Sequence, residues 1–184
     1  STGSGMHASI SDVIADTVQN SIEAGARNVV LSICEKSSIV SVEISDDGKG
    51  MDEETKSRVF DPFFTEPGKH DSRKVGLGLP ILKQMCEECG GSLSLESVPL
   101  KGTTLKYSFD ASNIDLPPWG NLPKCIVMLM NYPGRFELEF THAIDENSYS
   151  IKKSELSDAV GGLETVEGLS LAIEFLTSQE DSLR

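Results

Sequence analysis

The chain has 184 residues, 38% of them hydrophobic and 24% charged, which is ordinary for a folded domain with a sizeable core. Its net charge of −13 argues against nonspecific binding to nucleic acid or to an anionic membrane as its main activity. The longest apolar run, residues 125–130, is too short to span a bilayer, and no signal-like segment opens the chain, so we expect a cytoplasmic protein. Residues 1–5 precede Met6 and are interpreted as a cloning remnant outside the fold.

The first predicted element is an amphipathic helix over residues 10–22. Ser9 is a suitable N-cap, and Gly25 is suited to end the helix. The residues expected to face the core recur at helical spacing: Ile10, Val13, Ile14, Thr17, Val18 and Ile22. A polar stripe follows the opposite side in steps of four and three residues: Asp12, Asp16, Asn20 and Glu23.

Strands and a second helix follow in an order that predicts a layered α+β fold. Residues 28–34 and 39–45 read as strands, and the second alternates apolar and polar residues, so one sheet face is buried. A short polar helical stretch precedes an apolar helix that has Pro80 in its first turn and ends at Gly90. Residues 92–97 and 103–109 are two more predicted strands, joined by a turn ending in Gly102. Residues 6–112 therefore predict a two-layer α/β sandwich, one sheet covered on one face by helices.

Residues 113–184, here called the C-terminal segment, are predicted to form a small α+β appendage. It opens with a linker-like stretch rich in proline, DLPPWGNLP at residues 115–123. Residues 124–131 and 135–141 flank "YPG" and predict a hairpin, with a third strand at 149–153 and a terminal helix. The segment is either a stabilising extension or a module for partner docking or homodimer formation, and the two interpretations are left open.

Two groups of residues are candidate ligands for a nucleotide and its metal ion. Asp16 and Asn20 lie one helical turn apart, and a carboxylate and an amide oxygen at that spacing can share Mg²⁺. A solvated helix face would look the same. Asp46 ends a buried strand and opens "DDGKGM", in which Gly48 and Gly50 let the backbone approach a ligand closely. The carboxylate of Asp46 could accept a hydrogen bond from an adenine amine, although a simple strand-ending turn also favours Asp-Gly.

The loop before the second apolar helix is basic within an acidic protein, which suggests an anionic ligand. Its basic residues are Lys69, Arg73 and Lys74, and Gly76 and Gly78 then open the helix, whose N-terminal N–H groups can bind an anion. Later in that helix, the spacing of Cys86 and Cys89 invites a zinc or redox interpretation. They continue its apolar face without a second closely spaced pair, which favours core packing and reduced thiols.

The order and spacing of these motifs resemble a known family. An Asp/Asn helix is followed by Asp-x-Gly-x-Gly, Phe-x-x-Phe-Phe, Gly-x-Gly-Leu and Gly-Thr-Thr between about Ile10 and Phe109. The combination is similar to the ATP-binding domain shared by gyrase, the large cytosolic chaperone, mismatch-repair proteins and sensor histidine kinases, known as the Bergerat or GHKL fold. The stretch from "VGLGLPILKQM" to "GTTLKYSF" looks closest to the histidine-kinase branch.

The resemblance implies a role for each matching position. Asn20 would coordinate Mg²⁺ that bridges the phosphates of ATP, and Asp46 would bind adenine above a pocket floor formed by Gly48 and Gly50. The segment "FDPFFT" at residues 60–65 would be the hinge of a mobile lid. Gly76 and Gly78 would receive the phosphates with the help of the basic loop residues, and Thr103 or Thr104 would lie near the adenine.

Departures from the sensor-kinase pattern shape the predicted function. Asp16 and Glu23 replace the asparagine and the lysine that flank the metal-binding asparagine in many sensor kinases. In mismatch-repair proteins and the chaperone a glutamate stands at the Asp16 position as a general base, so Asp16 is a candidate base for slow hydrolysis or a second ligand on the metal side.

We expect the native chain to begin near Met6, without the helical segment that carries the phosphoacceptor histidine in sensor kinases. The leading hypothesis is therefore a Mg·ATP-binding protein that phosphorylates a separate protein in signal transduction. The alternative is an ATP-gated interaction module with slow hydrolysis.

Overall fold

The computed structural model describes residues 9–61 and 78–184. Within these residues six strands form one sheet with the order β3-β4-β2-β1-β5-β6. The strands are β1 (Asn28–Lys36), β2 (Ile39–Asp46), β3 (Leu93–Val98), β4 (Gly102–Asp110), β5 (Glu137–Ile144) and β6 (Asn147–Lys152). The helices are α1 (Ile10–Glu23), α2 (Glu53–Arg58), α3 (Gly78–Glu88), α4 (Leu122–Met130), α5 (Lys153–Val160) and α6 (Val166–Asp181).

Helix α1 forms as its sequence predicts. The Ser9 side chain accepts a hydrogen bond from the Asp12 N–H while Asp12 accepts from the Ser9 N–H, each at 3.0 Å, so a reciprocal capping box fixes the start. All six residues assigned to its inner face are buried, which confirms the periodicity. Gly25, at φ +80°, follows the last helical turn in the left-handed conformation that commonly ends helices.

The sheet is covered on one face, as the sequence predicts. In β2, Val40, Val42 and Ile44 are buried, whereas Ser41 and Glu43 between them are exposed. Because side chains alternate across a strand, the buried set marks the face beneath the helices and the exposed set marks the open face. Cys86 and Cys89 lie in the same core, which confirms the packing interpretation, and burial raises the pKa of Cys86 to about 12. The two-layer architecture is therefore confirmed.

The C-terminal segment extends this same sheet. Strand β5 pairs in parallel with β1, placing Leu138 beside Val29 and Phe140 beside Leu31 on the covered face. Strand β6 then pairs antiparallel with β5 and forms the other edge of the sheet. The first and last parts of the chain thus share one hydrophobic core, while the boundary at residue 112 stays a prediction about domain organisation.

One predicted strand is wrong. Residues 124–131 were expected to form the first arm of a hairpin, but residues 124–130 lie in helix α4 and Asn131 follows as its C-cap. This helix packs against both α1 and α6, so most of its surface is covered and its apolar residues do not follow a single stripe. Two residues at its start are typical of a helix N-terminus and were overlooked in the prediction. The side chain of Asn121 accepts the N–H of Lys124 at 3.1 Å, and Pro123 lies in the first turn. The true hairpin consists of β5 and β6.

Two helices, α5 and α6, complete the C-terminal segment. Helix α5 was not predicted; its start is fixed by the Glu155 side chain, which accepts the Lys152 N–H at 2.8 Å, and Gly161 ends it at φ +78°. Helix α6 matches the predicted terminal helix. Across the described ranges, every helix is too short or too polar to cross a membrane.

Candidate functional site

The candidate site lies where α1, the turn after β2 and the start of α3 meet. Helix α1 packs against β1 and β2 and also contacts α3 and α4. Asp16 and Asn20 are partly exposed on its polar side. The amide N–H of Gly78, the first residue of α3, donates to Asp16 Oδ2 at 3.4 Å. Two candidates far apart in sequence, Asp16 and Gly78, are therefore brought together by the fold.

Asp46 ends β2 and shapes the turn that follows. Its Oδ1 accepts the N–H of Gly48 at 2.8 Å. The N–H of Lys49 then donates to the carbonyl of Ala24 at 3.1 Å, directly after the end of α1. At a rise of 1.5 Å per residue, Ala24 and Asp16 lie about 12 Å apart along the axis of α1. The polar stripe lies between them. The stripe thus leads from the Asp46 turn past Asn20 to the start of α3.

The turn leaves no room for a side chain at either of its two glycines, Gly48 and Gly50. A Cβ on Gly48 would lie 2.9 Å from the carbonyl oxygen of Ala24. Gly50 has φ +68°, and a Cβ there would lie 2.0 Å from the carbonyl oxygen of Val98. Both positions therefore require glycine to bring the turn against α1 and β3.

The sequence leaves open whether Thr103 or Thr104 lies near the adenine. The register of β4 against β2 places the two side chains on opposite faces of the sheet. Thr103 pairs with Asp46 and shares the covered face with it. Thr104 lies on the open face, where its hydroxyl contacts that of Ser45 at 3.0 Å. Only Thr103 is therefore on the same side of the sheet as Asp46 and α1.

Ser97 organises the turn, and sequence reasoning missed it. Its hydroxyl donates to the carbonyl of Gly102 at 3.1 Å and accepts the N–H of Met51 at 2.8 Å. It also lies 2.7 Å from the hydroxyl of Thr103. A serine near the end of a strand that alternates apolar and polar residues gives no signal of this role, since the contacts depend on how β3, β4 and the Asp46 turn meet.

Several predicted site residues lie outside the described residues: Lys69, Arg73, Lys74 and Gly76. Most of the predicted hinge at 60–65 lies there too. Phe60, its first residue, is described, and the Nζ of Lys83 in α3 lies 5.5 Å from the centre of its ring.

The residues present fit Mg·ATP chemically. Asn20 offers an amide oxygen and Asp16 a carboxylate, which are oxygen ligands of the kind that Mg²⁺ prefers. Asp46 offers a carboxylate that can accept a hydrogen bond from an amine, beside glycines that bring the backbone close. No cluster of three or more metal-ligating His, Cys, Asp or Glu side chains occurs within residues 9–61 and 78–184. Mg²⁺ bound to a nucleotide commonly takes only one or two carboxylates from the protein.

Comparisons with known proteins show the family to which the chain is related. Residues 5–113 match the family model for the histidine kinase-, DNA gyrase B- and HSP90-like ATPases. The heme sensor protein HssS of Staphylococcus saprophyticus is 32% identical over 104 residues, covering 56% of this chain and 22% of that protein. Histidine protein kinase 1 of Candida albicans is 26% identical over 174 residues, covering 83% of this chain but 7% of its own length.

A solved structure, the N-terminal domain of a DNA repair protein, has a similar fold. Its TM-score is 0.54 at 14% identity, and the match covers 91% of this chain and 60% of the other. This likeness therefore includes much of the C-terminal segment, which lies beyond the residues matched by the family model. Since that model covers more than half of the chain and agrees with the predicted resemblance, the chain belongs to the histidine kinase-, DNA gyrase B- and HSP90-like ATPase family.

Proposed function

We propose that this chain binds Mg·ATP and acts as a kinase on a separate protein in signal transduction. The observation that carries the proposal is the junction of α1, the Asp46 turn and the start of α3. It gathers the family's characteristic residue types from three separate parts of the sequence. The match to sensor kinases supports a signalling role, although the chain spans less than a quarter of the two curated relatives named above.

Each residue has a role in this proposal. Asp46 recognises adenine, while Gly48 and Gly50 form the pocket floor and Thr103 lies beside it on the covered face. Asn20 would hold Mg²⁺, which would neutralise phosphate charge, and the N-terminal end of α3 would face the phosphates, with the N–H of Gly78 itself bonded to Asp16. Lys69, Arg73, Lys74 and Gly76 complete the phosphate contacts in the proposal.

Asp16 is the proposed general base. As a general base it would take a proton from water or from an attacking hydroxyl, and aspartate has one methylene less reach than the glutamate of related ATPases. The alternative function is an ATP-gated interaction module with slow hydrolysis. The contact between Asp16 and Gly78 favours this alternative, because it couples the α1 carboxylate directly to a neighbouring helix.

The fate of the γ-phosphate tests these proposals. Purified protein is incubated with γ-labelled ATP and Mg²⁺, and free phosphate, labelled protein and intact bound ATP are measured separately. Bound, intact ATP supports a kinase that awaits its protein substrate. Free phosphate that disappears in Asp16→Asn, with ATP binding retained, supports the ATPase module instead. A protein that binds no ATP at any Mg²⁺ concentration would contradict both.

A further inference from the structure

The C-terminal segment holds the start of α1, the helix that carries Asp16 and Asn20. The N–H of Ile10 donates to the carbonyl of Pro118 at 2.8 Å, and the N–H of Ser11 donates to that of Trp119 at 3.0 Å. The hydroxyl of Ser11 reaches the Trp119 carbonyl as well, at 2.6 Å. Two of the N–H groups that lack partners at any helix start are therefore satisfied from outside the helix.

The same segment reaches the other end of α1. Helix α4 packs along α1, and the chain then turns back through residues 131–136 to begin β5. In this connection the hydroxyl of Tyr132 donates a hydrogen bond to Glu23 Oε2, at the last residue of α1. A Cβ placed on Gly134 would lie 3.9 Å from Ile22, so the backbone of the connection also lies against this end.

Glu23 occupies a sensitive position beside the proposed site. It follows Asn20 by three residues, so the two side chains share a face of α1 about one turn apart. The next residue, Ala24, accepts the N–H of Lys49 from the Asp46 turn. A carboxylate that swung from Glu23 toward Asn20 would place a negative charge beside the proposed path of the nucleotide's polyphosphate, where like charges repel.

We propose that Tyr132 is a positioning residue for the nucleotide site. Its hydroxyl holds the Glu23 carboxylate against the connection between α4 and β5, which keeps that charge away from the phosphates and leaves Asn20 to face the metal. The C-terminal segment thereby acts directly on ATP affinity, beyond its contribution to the core. This inference rests on the proposed binding of Mg·ATP along α1.

The test uses the full chain and compares ATP with adenosine, which carries the base without the phosphates. Dissociation constants are measured by calorimetry for the wild type, Tyr132→Phe, Glu23→Gln and the double variant. Tyr149→Phe is the matched control, since its hydroxyl also donates to a glutamate, Glu180 at 2.5 Å, on the far side of the C-terminal segment.

Tyr132→Phe is expected to weaken ATP binding by at least about threefold, because the negative charge of Glu23, no longer bonded to the Tyr132 hydroxyl, acts more strongly on each phosphate charge. Adenosine binding stays unchanged, and adding Glu23→Gln restores ATP affinity because the repelling charge is gone. Tyr149→Phe leaves both affinities at the wild-type level.

Two results would overturn the inference while leaving the proposed function intact. One is equal ATP affinity in Tyr132→Phe and wild type. The other is an equal loss for ATP and adenosine that Glu23→Gln does not rescue, which marks a purely structural role. A wild-type protein that binds adenosine and ATP equally weakly, or not at all, would instead remove the proposed function together with this inference.

Discussion

Asp46 and Asp47 are adjacent and chemically identical, yet their carboxylates have different partners. Asp47 is exposed and accepts three hydrogen bonds, from the N–H groups of Arg27 and Asn28 and from the Asn28 side-chain amide, at 2.8 to 2.9 Å. The Asn28 side-chain contact, followed by the backbone contacts, holds the pKa of Asp47 below its ordinary value. Asp47 therefore ties the turn to the start of β1, whereas Asp46 faces the covered side beside Thr103.

The two residues allow a matched test, in which Asp47 is the control for the proposed adenine ligand Asp46. Asp46→Asn is expected to weaken ATP binding roughly tenfold to a hundredfold, because a charged acceptor for the adenine amine becomes a neutral one. Asp47→Asn should leave ATP binding unchanged but lower the free energy of unfolding by about 1–2 kcal/mol, because its new amide would face the Asn28 amide. Calorimetric titration and thermal melting measure the two effects. The reverse pattern would show that Asp47 is the adenine ligand.

Helix α4 shows how one element links the two ends of the chain. Its run of apolar residues, "CIVML", suits a buried strand as well as a buried helix, and periodicity cannot separate the two in so short a stretch. Packing between α1 and α6 decides the outcome, because a helix enclosed by two others buries apolar side chains around most of its circumference.

Substitutions along α4 test this arrangement. Ile126 is 0% exposed and Met128 is 49% exposed on the same helix. Ile126→Ala is expected to lower the free energy of unfolding by about 2–5 kcal/mol, through lost burial and the cavity left between the helices. Met128→Ala, the matched control, should change it by about 0.5 kcal/mol or less. Urea denaturation measures both, and similar small effects from the two changes would contradict the helical placement.

At the scale of the whole molecule, a hydrogen-bond network around His142 connects several elements at the β5–β6 end of the sheet. This side chain is completely buried in β5, and its Nε2 lies 2.6 Å from Glu35 Oε2 of β1 while its Nδ1 lies 2.7 Å from Glu180 Oε2 of α6. Tyr149 of β6 also donates to Glu180, and Arg184 lies 3.6 Å from Glu35. One imidazole between two carboxylates thus joins the first strand to the last helix.

The network predicts a pH dependence of stability. Burial opposes the charged imidazole, but the hydrogen bonds and charges of Glu180 and Glu35 outweigh it and raise the pKa of His142 above its ordinary value of 6.5. A group whose pKa is raised on folding stabilises the fold fully below its unfolded pKa, and this stabilisation is lost as pH rises through the folded value.

The wild-type free energy of unfolding should therefore fall above pH 6.5, with a contribution from His142 of at most about 1.4 kcal/mol per pH unit. His142→Gln removes the titrating group and should flatten this part of the curve. Denaturant unfolding at several pH values, with Met128→Ala as a control that keeps the wild-type slope, measures the effect. An unchanged slope in His142→Gln would show that the imidazole does not titrate there.

Much of the molecule follows from local patterns. The spacing of Val13, Ile14 and Val18 determines α1, and the capping residue Ser9 determines where it starts, because both depend on residues within a turn or two. Alternation in β2 likewise shows which face is buried. The order of the family motifs predicted the membership that the family match confirms.

What the sequence alone did not determine depends on residues distant along the chain. The parallel pairing of β5 with β1, the helical state of α4 and the burial of His142 between two carboxylates each need partners roughly a hundred positions away. Ser97 beneath the Asp46 turn and Tyr132 on Glu23 also depend on distant partners, 46 positions away for Met51 and 109 for Glu23. Local propensity gives no sign of these contacts, because their free energy is gained only when the sheet has assembled and brought the two ends of the chain together.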